Sequence, residues 1–311
     1  MEKENIKNKS IGCFIGLAIG DALGTTLEFK HRDTTKKITD IVGGGPFELK
    51  AGEWTDDTSM ALCLAISIIK KGFDLKEQMD NYFKWYREGY LSSNGRCFDI
   101  GITVRQALQQ YSENKKPLAG KTDEYSAGNG SLMRIAPIPI AYRYNDGEVE
   151  KFNKLIEYAK LSSMTTHGEQ RCIEACIAYS IILNKAINNK SKEDILTFNE
   201  EEKSYLHHPD ILKVINGSYK IKNRDQIESS GFVIDTLEAA LWAFYNTDNF
   251  RDSIILSANL ARDADTIAAI CGQLSGAFYS LENIPEEWIE KIKYKDKIIG
   301  IANELYKISI R

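Results

Sequence analysis

Two stretches of this 311-residue chain gather oxygen-bearing side chains in front of apolar runs. The first reads Gly52-Glu53-Trp54-Thr55-Asp56-Asp57-Thr58-Ser59 and leads into MALCLAISII. The second reads Ala261-Arg262-Asp263-Ala264-Asp265-Thr266 and leads into IAAICGQLSGAF. A Thr/Asp group directly before helical spacing marks a helix start, where such side chains cap free N–H groups and meet the positive end of the helix dipole. One cap needs one side chain, however, and Thr55, Asp56, Asp57 and Thr58 offer four in a row. Adjacent carboxylates repel unless a cation lies between them. In the second stretch the plain alternative is a structural salt bridge from Arg262 to one of its acids. Taken together, Thr55, Asp56, Asp57, Asp263, Asp265 and Thr266 present oxygen alone, a donor set suited to Mg²⁺, Mn²⁺ or Ca²⁺ rather than zinc. Four carboxylates exceed what one Mg²⁺ usually takes, and two cations would balance them. Placed about 3.5–4 Å apart, such a pair can orient a substrate, polarise an oxygen and activate water.

A third stretch, Gly128-Asn129-Gly130-Ser131, has the composition of an anion-binding loop. Glycine permits positive φ and close approach, so successive backbone N–H groups can face a phosphate. An ordinary turn has the same composition. Cys172 and Cys176 would share one helix face, but no second Cys/His pair has matching spacing, so core packing is expected for them rather than zinc.

The elements that must position these residues read as helices. Ile11, Phe14, Ile15 and Ala18 recur at helical spacing, as do Met60, Cys63, Leu64 and Ser67, then Ile173, Cys176, Ile177 and Ser180, and later Leu237, Ala240, Leu241 and Phe244. Only Lys37–Val42 and Ser131–Ile140 look briefly extended, and Pro137 and Pro139 argue against a central strand in the second. Glycine clusters mark loops at 43–45, at 128–130 and at Gly20 with Gly24. The polar stretch 188–208 reads as a peripheral helix with its loops. No Pro/Ser/Gly-rich linker divides the chain. The expected architecture is therefore all-α: a flexible N-terminus over residues 1–10, then one compact multi-helix domain over 11–311.

Composition is ordinary for a globular protein, with 43% hydrophobic and 27% charged residues. A net charge of −4 gives no basic excess for general nucleic-acid binding. Residues 1–10 lack the apolar core of a signal peptide, and no run of about 18 apolar residues suggests a membrane span. Reduced thiols and a cytoplasmic home are the expectation.

With these motifs in order, the sequence resembles the ADP-ribosylglycohydrolase family, which includes dinitrogenase reductase-activating glycohydrolase and the ADP-ribosylarginine hydrolases. The resemblance runs from about Ile11 to Gly276. It rests on Gly16-Leu17-Ala18-Ile19-Gly20-Asp21-Ala22-Leu23-Gly24 with Glu28-Phe29, Trp54 to Thr58, Gly95 to Gly101, Gly128 to Arg134, Thr166-His167, Gly231-Phe232-Val233 with Thr236 to Ala240, and Arg262 to Thr266. Each match is short, and seven in the right order are specific.

The resemblance implies an all-α fold with a binuclear Mg²⁺ or Mn²⁺ centre, and the six residues above fall on its metal positions. It implies hydrolysis of the bond between C1″ of the distal ribose and an acceptor. Glu28 would lie beside the metals, holding water or acting as general base; otherwise it is a surface acid. Asp57 or Asp56 could instead position the water. Asp21 is expected to cap or support the fold. Asp99 would bind a ribose hydroxyl or donate a proton, or else cap the helix starting at Gly101. Gly128, Asn129, Gly130, Ser131 and His167 would contact the diphosphate or ribose, with Met133 and Arg134 supporting the loop. A lone His167 would otherwise be a cap or a packed residue. Phe98 or Tyr125 could stack on adenine. The expected substrate is an ADP-ribosylated protein, with arginine as the first expected acceptor because Gly95–Gly101 and Gly231–Val233 resemble the bacterial arginine-directed group. The product would be ADP-ribose. A dimetal hydrolase of another nucleotide conjugate and a non-enzymatic ADP-ribose-binding member are the rival readings.

Overall fold

The computed structural model describes residues 2–311, and among them every regular element is helical. Helix α1 (Glu2–Gly24) is followed by α2 (Asp56–Lys71), then α3 (Leu75–Glu88), α4 (Ile102–Asn114), α5 (Pro137–Ala141), α6 (Val149–Met164) and α7 (Gln170–Ile187). Three short helices, α8 (Lys192–Ile195), α9 (Glu200–Lys203) and α10 (Pro209–Ile215), form the polar periphery. The chain ends with α11 (Val233–Tyr245), α12 (Phe250–Ala258), α13 (Ala264–Tyr279), α14 (Glu286–Lys291) and α15 (Lys295–Ser309). In place of strands there are isolated bridges, among them Glu28 with Arg262 and Gly128 with Phe232. The stretch 131–140 ends in α5, whose first residue is Pro137: its missing N–H is one that a helix start leaves unpaired anyway.

The centre of the molecule is the pair α1 and α13. Glycines at every fourth position of α1 meet the small residues of α13 backbone to backbone. A Cβ added at Gly12, Gly16, Gly20 or Gly24 would stand 2.4, 2.3, 2.0 or 2.4 Å from the carbonyl oxygen of Gly276, Gly272, Ala268 or Ala264. No side chain fits there, so the two helices are in backbone contact along their length. Gly20 and Gly24, which by composition mark a loop, are thus helical packing positions. The flanking Ile15 and Ile19 are fully buried, each contributing about 1.5–3 kcal/mol of apolar burial.

Helix α1 begins at Glu2, well ahead of the expected domain start at Ile11. Its first turns are ordered because their polar groups find partners. Lys9 Nζ donates to the carbonyls of Ala186, Ala277 and Phe278, and Asn8 donates to Glu282. Ile6 packs into the core. The stretch Lys3–Leu27 is long and apolar enough to cross a membrane, yet its most apolar window is 94% buried inside the fold, as a core helix requires.

Candidate active site

The antiparallel packing of α1 on α13 brings the C-terminal end of α1 to the N-terminus of α13, and α2 begins beside both. The two acidic stretches therefore meet. Thr55 Oγ1 lies 3.3 Å from Asp265 Oδ2, and Thr266 Oγ1 lies 3.4 Å from Asp57 Oδ2, across some 209 residues of sequence. Carboxylate oxygens of Glu28, Asp263 and Asp265 all fall within 4.8 Å of one another. Thr55, Asp56, Asp57, Asp265 and Thr266 are buried.

Apart from Asp265 Oδ1, which accepts from Thr266 N at 2.8 Å, these side chains are not spent on the N–H groups of their own helix starts. Neither Thr55, at the start of α2, nor Asp263, at the start of α13, makes a side-chain cap bond. The caps come from elsewhere in the chain. Asp21, fully buried on α1, accepts from Thr55 N (2.8 Å) and Thr58 N (3.0 Å) and from both hydroxyls. Glu28 Oε2 accepts from Ala264 N at 2.9 Å at the start of α13. With its proton given to Asp21, the Thr55 hydroxyl keeps its lone pairs for the acid cluster. Arg262 pairs outward with Glu228 and leaves the acids of its own stretch alone.

Crowding and burial set the electrostatics. Burial, then Asp57 and Asp265, hold Asp56 well above the usual carboxylate range, and burial, then Asp21 and Asp265, do the same to Asp57. Glu28 is likewise pushed far up, by burial and then Asp265. Asp99 is pushed up to about 12 by burial, Asp265 and Asp56. Asp21 and Asp263 rise to about 7, again by burial first and then Asp265. Asp57 Oδ1 is buried with no hydrogen-bond partner. An orphaned oxygen among converging carboxylates, with donors of oxygen alone, fits hard divalent cations.

Above the acids opens a cleft of about 750 Å³, within the range of small-molecule sites. Glu28, Asp56, Asp99, Gly128, Asn129, Gly130, His167, Asp263, Asp265 and Thr266 all line it. Thr55 and Asp57 lie deeper, beneath that lining. Asp99 reaches the acids because its backbone is left-handed (φ 58°), a conformation Asp tolerates. The N-cap position of α4 is taken by Gly101, not by Asp99.

Four expected substrate contacts differ in detail. Ser131 is buried behind the loop, its hydroxyl 2.9 Å from Ser163 Oγ, and is not part of the lining. Asn129 lines the cleft but its amide is committed to Asp263 and Thr236. Gly128 and Gly130 do not have positive φ. Gly130 is glycine because a Cβ there would meet His167 Cε1 at 2.9 Å and Val104 at 3.1 Å. The loop is thus built around the imidazole rather than as a nest of N–H groups. His167 itself is buried, its pKa lowered to about 3 by burial and then by Arg134, so it is a neutral ring.

Tyr125 is 91% exposed and lies off the cleft lining. Phe98 packs on Phe47, which packs on Phe29, and Phe29 is the ring that lines the cleft. Met133, Thr103, Ile102 and Ser230 also line it. Met133 belongs to the Gly128–Arg134 motif and is expected from the sequence only to support the loop, whereas Ile102, Thr103 and Ser230 carry no motif of their own in the sequence.

Comparisons with known proteins identify the family. The family model described as ADP-ribosylglycohydrolase matches residues 2–310. The chain belongs to the ADP-ribosylglycohydrolase family. Within that family it is similar to "ADP-ribosylarginine hydrolase Tri1" of Serratia proteamaculans, at 45% identity over 98% of this chain and 80% of that protein. It is also similar to "ADP-ribosyl-[dinitrogen reductase] glycohydrolase" of Rhodospirillum rubrum, at 29% identity over 95% and 94% of the two chains. A solved structure titled "ADP-ribosylglycohydrolase-related protein complex" superposes with a TM-score of 0.86 at 37% identity, covering 98% of this chain and 99% of its own. Membership places the chain among glycosyl hydrolases, and its all-helical architecture is the family's.

Proposed function

We propose that this protein is a divalent-metal-dependent ADP-ribosylarginine hydrolase that releases ADP-ribose from modified arginine side chains of proteins. The observation that carries the reading is the meeting of Thr55 and Asp57 with Asp265 and Thr266 at the floor of the cleft. The likeness to relatives named as ADP-ribosylarginine hydrolases supports the acceptor.

Thr55, Asp56, Asp57, Asp263, Asp265 and Thr266 would hold two Mg²⁺ or Mn²⁺ ions, which when bound would compensate the acids, orient ribose hydroxyls and make water more acidic. The remaining work falls to the chain. The cleft wall at Gly128–Gly130 and His167 holds the diphosphate end, so that C1″ of the distal ribose faces the acids. A carboxylate (Glu28, Asp56 or Asp57) takes the proton of the attacking water. The C1″–N bond breaks with oxocarbenium character, and its electron pair leaves on the guanidine nitrogen. Asp99 delivers a proton to that nitrogen. Burial is the largest cause of its raised pKa and persists when cations compensate its neighbours. One carboxyl as acid and another as base is the division of labour of glycoside hydrolysis.

The test is incubation with arginine- and serine-ADP-ribosylated peptides, with Mg²⁺, with Mn²⁺ and with chelator. Metal-dependent release of free ADP-ribose from the arginine peptide is expected. Release of AMP would instead identify cleavage of the diphosphate. Tight ADP-ribose binding with no turnover under any metal would identify a sequestering protein.

A further inference from the structure

Arg134 is fully buried and has only neutral partners. Its guanidinium stacks over the Tyr82 ring and donates to the Ser162 carbonyl and to the hydroxyls of Thr165 (3.1 Å) and Thr166 (2.8 Å). A buried cation without a carboxylate is costly to maintain, and its contacts lead toward the cleft. We infer that Arg134 is a positioning residue: through the Thr166 hydroxyl it holds His167 as the tautomer protonated on Nε2, with that N–H offered to a phosphate or ribose oxygen in the cleft. The ligand class rests on the function proposed above.

The argument is a proton count. Arginine has donors and no acceptor, so Thr166 Oγ1 must accept from Arg134. That oxygen has a second lone pair, but its own proton meets no acceptor among the described residues other than His167 Nδ1, 2.8 Å away, and is directed there. A neutral imidazole that accepts at Nδ1 carries its proton on Nε2. That edge of the ring faces the loop in the cleft wall: Cβ atoms built on Gly128 and Gly130 would lie 3.4 and 3.3 Å from Nε2. The ring cannot flip without losing its partner, and its backbone is pinned by His167 N to Ser163 O (2.7 Å) and Ser163 Oγ to His167 O (2.9 Å). The lowered pKa agrees, since a neutral ring has one proton to place. Recognition of an anion by a neutral N–H keeps the donor fixed across the working pH range.

The tautomer is read directly from imidazole ¹⁵N resonances of the histidine-labelled protein, with no ligand present. The wild type should show His167 protonated at Nε2 and bare at Nδ1. Thr166→Val, which keeps the shape and removes the hydroxyl, should give a mixed tautomer, about tenfold weaker ADP-ribose binding and a KM raised about tenfold, with kcat within about twofold. Thr166→Ser should restore the wild-type spectrum and KM. Arg134→Met should blur the tautomer in the same way, and if it does not fold, the wild-type spectrum and the Thr166 pair decide. A wild-type proton on Nδ1, or a Thr166→Val protein with unchanged spectrum and KM, overturns the inference. Absent ADP-ribose release with an intact Nε2–H spectrum would count against the proposed reaction alone.

Discussion

Asp57 holds the most exacting position among the acids, with Oδ2 near Thr55 and Thr266 and Oδ1 buried without a partner. Replacing it by Ala removes one buried acid from a crowded cluster while deleting one of the residues that would hold the metal. Asp57→Ala should therefore lower kcat/KM by a factor of about 100 or more, several kcal/mol of lost transition-state stabilisation. Its metal-free Tm should be equal to or above that of the wild type. Peptide turnover and calorimetry on the same preparation check both halves, and full turnover would remove Asp57 from the machinery. Gly130 makes the opposite case, where adding one carbon does the damage. A methyl at Gly130 meets a ring that its Thr166 bond holds in place, so Gly130→Ala should raise KM more than it lowers kcat.

At the scale of elements, the glycine stripe of α1 does what no side-chain contact could. It lets α13 lie close enough for Glu28, just beyond α1, to cap its start. Gly20→Ala would place Cβ 2.0 Å from the Ala268 carbonyl, a backbone atom with little room to yield. A cost of about 1–3 kcal/mol or more in denaturant unfolding is expected, together with weaker Mn²⁺ binding in direct titration, because α13 must shift relative to α2. A variant of lowered stability with unchanged Mn²⁺ affinity would show that the stripe serves packing alone. The cleft rim carries strain of another kind: Phe29, Asp99, Ala261 and Arg262 all have left-handed backbones. Phe29 N to Arg262 O (2.7 Å) and Arg262 N to Lys30 O (2.9 Å) hold that corner in place. Such conformations persist only where surrounding bonds over-determine them.

For the whole molecule, the acid cluster links stability to pH and to metal. Six carboxyls, Asp21, Glu28, Asp56, Asp57, Asp99 and Asp263, are raised above their ordinary range. In chelated protein the native state keeps protons that the unfolded chain releases above about pH 4. The stabilisation is complete below that pH and is lost as pH rises, through about 7 for Asp21 and Asp263. His167 acts in the opposite sense, destabilising the native state as pH falls below about 6.5, but it is one group against six. The rise in Tm on adding Mg²⁺ should therefore be larger at pH 8 than at pH 5. At about 100 times the dissociation constant the metal should contribute about 2.7 kcal/mol. Equal metal-induced shifts at both pH values would count against the acids as the binding site.

The sequence by itself determined the all-helical class and the candidate acids. Helical periodicity and runs of oxygen donors are local properties, readable wherever they occur. Local reading also set its limits. Residues 1–10 look flexible because they are polar, whereas Lys9 is held by carbonyls of α7 and α13, far off in sequence. Asp21 caps α2 and Glu28 caps α13, helices whose starts lie well beyond reach of any local capping pattern, so only the packing of α2 and α13 beside the end of α1 assigns them. The glycines of the 128–131 loop read as a phosphate nest, yet neither takes positive φ and Gly130 is small to make room for the His167 ring, whose protonation follows from burial and from Arg134. Capping, crowding and desolvation depend on which groups are neighbours in space, and that is what the tertiary structure decided.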